Sequence, residues 1–295
     1  MTGQSVRRSW LLIPGHRSDL VEQSATFGAD VVVFDLEDLV HDDRKHAARA
    51  GIREGIERAR QGGAEVFVRC DLELLYADLD ASVWRGLQGV ILPKVSSVEQ
   101  IHEAEDVLAY FEAERGVMQA GLIHEINEFD EPRSTENSLE IHLSLETAAG
   151  NHAAAELLTC SPRVRSASLG RADLVMDLRG EPHGELHLMP FLMQRLIVVA
   201  NATGVSPVGA WWQADSRGLG ASSEATLRSA RLGRLAGFKG ALCVEPEQVA
   251  ALNQGFTPTP TPQDVRDAPA LTQWAEACRA RDDSKQQAAE WASHV

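Results

Sequence analysis

No apolar run in this 295-residue chain approaches the roughly 20 residues that cross a bilayer. Met1 to Arg8 leads straight into a strand-like segment without the hydrophobic stretch of a secretory leader, so a cytoplasmic protein with no membrane partner is expected. Cysteine is sparse: Cys70, Cys160, Cys243 and Cys278 lie far apart with no Cys-x-x-Cys spacing, so neither a disulfide scaffold nor a zinc site is indicated. Basic residues are also few. Lys plus Arg total 28 against 43 Asp plus Glu, and the net charge of -15 argues against nucleic acid or an anionic surface as partner. An anionic substrate would then need a metal ion or a local Arg or Lys to reverse the field. No Gly-x-Gly-x-x-Gly follows the first strand-like run, which disfavours an open dinucleotide-binding sheet. No internal repeat with recognisable motifs appears.

What is present is a folded-protein composition, 44% hydrophobic and 24% charged, and a short apolar run that returns between helix-like stretches. Candidate strands are Trp10 to Ile13, Val31 to Phe34, Val66 to Val68, Val90 to Leu92, Ile141 to Leu145, Arg165 to Leu169, Pro207 to Ala210 and Ala241 to Val244. Near-continuous runs such as Val31-Val32-Val33-Phe34 suit parallel strands covered on both faces. The expected fold is therefore α/β, a (βα)₈ TIM barrel with a C-terminal helical tail. Helices are expected over Leu20 to Thr26, Asp43 to Gln61, Ser97 to Arg115, Thr147 to Leu158, Met189 to Thr203 and Ser222 to Gly237. Ser97 with Gln100 reads as a capping box and Gly237 as a helix-ending glycine. The acidic stretch Gly116 to Ser138 reads as an inserted loop away from the chemistry. The barrel domain is expected to span residues 1–256. In the remainder, 257–295, Thr257 to Pro262 reads as an extended linker, Ala268 to Arg281 as a helix, and Asp282 to Val295 as a polar, partly disordered end.

In a parallel barrel every strand ends on one face, so residues that immediately follow strands converge there. These are Pro14-Gly15, Asp35-Leu36-Glu37-Asp38, Arg69, Pro93-Lys94, Glu146, and Gly170 to Asp173. Several carboxylates crowded in one mouth call for a bound cation. Glu146 and Asp173 follow adjacent strands and can share one ion, and oxygen-only ligands favour Mg²⁺ over Mn²⁺.

At these residues the chain resembles the citrate lyase β-subunit-like branch of the HpcH/HpaI aldolases, which includes malyl-CoA and citramalyl-CoA lyases. The similarity runs from Arg8-Ser9 and Pro14-Gly15 through Ala29-Asp30, Asp35-Leu36-Glu37-Asp38, Lys45 and Ala48-Arg49. It continues through Val68-Arg69, Leu92-Pro93-Lys94-Val95, Leu145-Glu146-Thr147-Ala148, Gly170 with Asp173-Leu174, and Gly237-Phe238 with Gly240. The resemblance implies that Glu146 and Asp173 ligate Mg²⁺ while Glu37 and Asp38 hold its waters, and that Arg69 receives the substrate anion. Glu37, Asp38 and Arg69 are thus the expected catalytic residues. It further implies a carbon-carbon lyase acting on a 3-hydroxy acid or its CoA thioester, releasing a short keto acid and an acyl unit, in a homo-oligomer, trimer or hexamer. Arg69, Lys94 and the backbone near Pro14 and Gly15 are the expected substrate contacts.

Duller readings stand beside these. Lys94 reads equally as a structural ion pair, Arg69 as a balance for the acids, Asp38 as a helix-capping charge, and Trp211-Trp212 as packing or as a pocket wall. His16 and Arg17 read as surface residues, and His41, His46 and His124 show no ligand spacing. Where relatives carry Ile-His-Pro after the last strand this chain has Val244-Glu245-Pro246, and Gln23 stands where they carry Lys. The family's acidic C-terminal lid has no clear counterpart after Arg281. Two alternatives follow: a CoA-independent pyruvate or oxaloacetate aldolase, and a catalytically silent barrel that binds a metal and a keto acid.

Overall fold

The computed structural model describes residues 5–117, 138–179, 189–212 and 221–292. Eight parallel strands form one sheet: β1 (Ser9–Pro14), β2 (Val31–Asp35), β3 (Glu65–Arg69), β4 (Gly89–Leu92), β5 (Glu140–Leu145), β6 (Val164–Leu169), β7 (Ser206–Val208) and β8 (Ala241–Cys243). They run in the order β7-β6-β5-β4-β3-β2-β1-β8. The ends meet through a bridge between Val208 and Gly240, with Gly209 N–H donating to the Gly240 carbonyl at 2.6 Å. The result is the expected barrel.

Described helices are α1 (Ser18–Gln23), α2 (Lys45–Gln61), α3 (Leu75–Ser82), α4 (Val98–Arg115), α5 (Ala148–His152), α6 (Ala154–Leu157), α7 (Arg171–Arg179), α8 (Met189–Thr203), α9 (Ser223–Ala236), α10 (Glu247–Phe256), α11 (Pro262–Asp267) and α12 (Pro269–Ala292). The Gln100 side chain accepts from the Ser97 N–H at 3.2 Å, as a capping box requires. Gly237 ends α9 at φ 119°, a left-handed conformation. None of the described helices is long and apolar enough to cross a membrane.

Strand side chains divide by a two-residue period. Leu11, Ile13, Val32, Phe34, Val66, Val68, Val90 and Leu92 face outward into the larger core shared with the helices. Trp10, Leu12, Val31, Val33, Phe67, Ile91 and Val208 form a second cluster inside the barrel. Continuing the inward phase carries Pro14, Asp35, Arg69, Glu146 and Gly170 to the C-terminal rim. The fold thus fixes which rim residues face the axis.

Several boundaries differ from the sequence expectations. Thr147 to Leu158 is two short helices, α5 and α6, and the α1 segment finishes in a 3₁₀ turn over Ser24–Thr26. Helices α3, α7 and α10 lack a counterpart in the sequence reading because their apolar periodicity is short, and in α3 and α7 it is interrupted by charge. Residues 118–137 of the expected inserted loop, including His124, lie outside the described residues.

The tail differs most. Thr257 to Thr261 is non-helical, but Pro262 is the first residue of α11 rather than linker, with the Thr261 hydroxyl and the Asp264 carboxylate capping each other. Instead of disorder after Asp282, α12 continues to Ala292. Its polar residues have buried partners at the N-terminal face of the barrel. Arg8, 1% exposed, donates from Nε to Asp30 Oδ2 at 2.8 Å and from Nη2 to Asp282 at 2.5 Å. Lys285 Nζ donates to Asp30 Oδ1 at 2.6 Å, and Arg281 Nη2 to the Asp30 carbonyl at 2.7 Å. A pattern of exposed-type residues hides a docking face whenever the partners are themselves charged and buried.

His142, fully buried in the barrel, stacks at a tilt 5.1 Å from the Trp10 ring. Burial, reinforced by the nearby positive Arg7, pushes its imidazole down to about 3 from an ordinary 6.5. Between these values the unfolded chain binds the proton and the folded chain does not, so stability is full above pH 6.5 and falls on acidification toward pH 3. The loss attributable to this one group is about 3–5 kcal/mol over that window. Denaturant midpoints measured at intervals from pH 7 to pH 4 should fall for wild type and flatten for His142→Gln. Equal slopes for the two proteins would contradict this.

Candidate active site

The register of β1, β2 and β3 places Pro14, Asp35 and Arg69 side by side at the rim. Arg69 donates from Nε to Asp35 Oδ1, and its Nη1 lies 3.3 Å from Glu37 Oε2 and 3.9 Å from Asp38 Oδ2. Burial works against the charge on this guanidinium, but Asp35, Glu37 and Glu146 outweigh it and hold Arg69 protonated. The Asp35 carboxylate also accepts from the Leu39 N–H at 2.8 Å, tying the turn that carries Glu37 and Asp38. Behind that turn Lys45 Nζ joins the Leu36 carbonyl to Asp71, and Arg49 pairs with buried Asp78 at 2.7 Å. Lys45 and Arg49 therefore brace the loop.

Lys94 has φ 54°, the one positive value outside glycine among the described residues. That strained backbone brings its Nζ to 2.6 Å from Glu37, 2.9 Å from Asp38 and 3.8 Å from Asp173. The ammonium is held charged: burial opposes it, and the hydrogen bonds to Glu37 and Asp38 prevail. Burial, with help from Asp38, raises the Glu37 carboxyl above its ordinary range despite Arg69 and Lys94. Asp38 goes the other way, because Lys94, Glu37 and Arg69 overcome its own partial burial.

Glu146 sits one residue beyond β5, where Thr147 caps α5 by accepting from the Gly150 N–H at 2.9 Å. Gly170 makes room for it: a Cβ there would lie 2.1 Å from Glu146 Cγ. Asp173, in the first turn of α7, completes the arrangement. Asp38, Glu146 and Asp173 each offer one oxygen, all within 4.8 Å of one another. Oε2 of Glu146 is buried and has no hydrogen-bond partner. Burial chiefly, then Asp173 and Glu37, push the Glu146 carboxyl up to about 7, against the Ser144 hydrogen bond and Arg69. An orphaned buried carboxylate oxygen on a residue grouped with two further carboxylates fits a hard divalent cation bound by oxygen.

Glu37, Asp38, Arg69, Lys94, Glu146 and Asp173 thus come together from five strand ends, and Asp38 joins the ligand-spaced trio in place of a position beyond it. The Gly15 N–H is already committed to the Asp35 carbonyl at 2.9 Å, and Pro14 has no N–H to offer. Lys94 faces three acids. Trp211 and Trp212 are partly buried against the outer core. His41 pairs with Asp43 and Arg17 with Asp19, both on the surface. His46 is exposed, whereas His16 is only half-exposed. The four cysteines are free. Asp35, which carries Arg69, and Ser144, which contacts Glu146, had no assigned role in the sequence. The legible signal for both was strand phase, since Asp35 is in register with Pro14 and Arg69, and Ser144 precedes Glu146 by two residues on the same face.

The chain is 25% identical over 262 residues to the citrate lyase subunit beta of Leuconostoc mesenteroides subsp. cremoris, covering 88% of this chain and 80% of that protein. It is 29% identical over 258 residues to a (3S)-malyl-CoA thioesterase of Cereibacter sphaeroides, covering 86% and 78%. Among solved structures, protein CitE from Mycobacterium tuberculosis in complex with magnesium and pyruvate superposes with a TM-score of 0.62 at 24% identity, covering 92% of this chain and 96% of that one. The family model for HpcH/HpaI aldolase/citrate lyase matches residues 8–246, and the chain belongs to that family.

Proposed function

We propose that the protein is a Mg²⁺-dependent carbon-carbon lyase of the citrate lyase β type, which cleaves a 3-hydroxy acid or its CoA thioester to a short keto acid and an acyl unit. The observation that carries this reading is the grouping of Asp38, Glu146 and Asp173 oxygens within 4.8 Å of one another, with Glu146 Oε2 buried and unpartnered. Asp38, Glu146 and Asp173 would hold the ion, which supplies Lewis-acid polarisation of the substrate's oxygens. Arg69, fixed by Asp35, presents a permanent positive charge beside them, where oxygen charge builds as the bond breaks. Glu37, whose carboxyl is raised above its ordinary range by burial, stands beside Asp38 and would accept the substrate's hydroxyl proton. Lys94 limits the repulsion that so many acids would otherwise exert.

A second reading, a lyase acting on free acids without CoA, draws on two features. Glu245, two residues past β8, adds an exposed carboxylate after the strand end, a charge that repels phosphate groups. Helix α12 is fastened at the opposite face, through Asp282 to Arg8 and Lys285 to Asp30.

The test is an assay of free 3-hydroxy acids and their CoA esters for keto-acid release with Mg²⁺ and with chelator. Release that chelator abolishes is expected. Keto acid from the esters alone selects the thioester lyase, and from free acids alone the second reading. Release of CoA without any keto acid, or silence on the whole panel, would count against both.

A further inference from the structure

Along β5 the residues in the inward phase are His142 and Ser144, followed one step past the strand by Glu146. The facing positions of β6 are Ser166 and Ser168, in register with His142 and Ser144. Around them the barrel interior holds the apolar side chains Trp10, Leu12, Val31, Val33, Phe67 and Ile91, with Arg7 paired to Glu65 and Glu140 at its base. Polar groups buried there are costly unless they bond to one another, and these do. Fully buried His142 has Nδ1 at 2.8 Å from Ser166 Oγ and Nε2 at 2.9 Å from Ser168 Oγ. Ser168 Oγ donates to Ser144 Oγ at 3.4 Å, and Ser144 stands two residues before Glu146 on the same inward face, its hydroxyl acting to lower the Glu146 carboxyl.

The direction of this chain follows from which groups can donate. Ser168 Oγ donates to Ser144 Oγ, which leaves the Ser144 hydroxyl proton for Glu146, whose carboxylate can only accept. Ser168 then accepts from His142 Nε2–H, and Nδ1 accepts from Ser166. A neutral imidazole provides that one donor and one acceptor, and burial keeps His142 neutral. Every proton points toward the rim, so the bonds polarise one another in the same sense.

We propose that His142, Ser168 and Ser144 are positioning residues, a hydrogen-bond chain inside the barrel that fixes one oxygen of Glu146 so that Oε2 is presented to a divalent cation together with Asp38 and Asp173. The proposal rests on the reading of Glu146 as a cation ligand. Groups behind metal ligands commonly set affinity by 10- to 100-fold.

The experiment is calorimetric titration of the full chain with Mg²⁺ alone, alongside the Mg²⁺ concentration giving half-maximal keto-acid release. Ser144→Ala should weaken Mg²⁺ binding about tenfold while kcat at saturating Mg²⁺ stays near wild type. Ser168→Ala should do the same to a smaller degree, because the link it breaks is the longest, and Ser144→Thr, which keeps the hydroxyl, should restore affinity. Should Ser144→Ala fail to fold, Ser168→Ala carries the test from a position that does not touch Glu146. If both alanine variants bind Mg²⁺ like wild type while Glu146→Gln does not bind it, the positioning role is overturned and the ligand reading survives. If Glu146→Gln itself binds Mg²⁺ normally, the ligand reading falls, and this proposal with it.

Discussion

Glu146→Gln and Asp173→Asn are each expected to remove measurable Mg²⁺ binding and to lower kcat/KM by at least about 10³-fold, with the fold intact. Both changes keep the side-chain volume and delete only the charge, so the near-UV circular dichroism spectrum should stay that of wild type. Removing the Glu146 charge also relieves a burial penalty, and thermal stability without metal should rise or hold. In wild type the Glu146 carboxyl is pushed up to about 7, mainly by burial, so a cation must displace a proton below that pH. Mg²⁺ affinity should therefore decline on acidification through pH 7. Calorimetry in two buffers of different ionisation enthalpy reads the released proton. Undiminished binding in both variants would remove the metal site from the account.

The second large effect is on stability. Asp30→Ala should cost about 3–5 kcal/mol, the usual result of removing one partner from a buried ion pair. Asp30 is wholly buried and faces Arg8 at 2.8 Å and Lys285 at 2.6 Å, so its loss strands cations with one half-exposed carboxylate, Asp282, in reach. Burial alone would raise the Asp30 carboxyl, but Arg8 and Lys285 overcome it and hold it below its ordinary range. A lowered carboxyl stabilises the fold above the unfolded-state value near 4 and ceases to do so as pH falls through the folded value. Urea unfolding of Asp30→Ala and Asp30→Asn reads the cost, and a change under about 1 kcal/mol in both would contradict the network's role.

How far the sequence foretold this arrangement depended on the kind of signal. Buried parallel strands announce themselves as unbroken runs such as Val31 to Phe34, and the ends of those runs named Glu37, Asp38, Arg69, Lys94, Glu146 and Asp173 together. Strand phase was equally readable but not used. Asp35 and Ser144 differ from the assigned residues only in pointing at another side chain instead of into the mouth. Lys94 could not be placed from sequence, because whether a lysine meets a substrate or its neighbours' carboxylates depends on a backbone turn at φ 54°. Arg8 and Asp30 matched family motifs without a stated job, and the structure gives them one at the face away from the chemistry. The helical end was misread because composition reports solvation only when the partners are known, and those lie 255 residues earlier for Lys285.

That separation has a bearing on biosynthesis. Arg8 and Asp30 leave the ribosome about 250 residues before Asp282 and Lys285. Strands β1 to β3 can pair and bury their apolar faces during elongation, but the charges at their base stay partly unmatched until α12 emerges. A transcript cut short before codon 282 would encode every strand of the barrel and still yield a protein with its floor unlatched, a substrate for quality control.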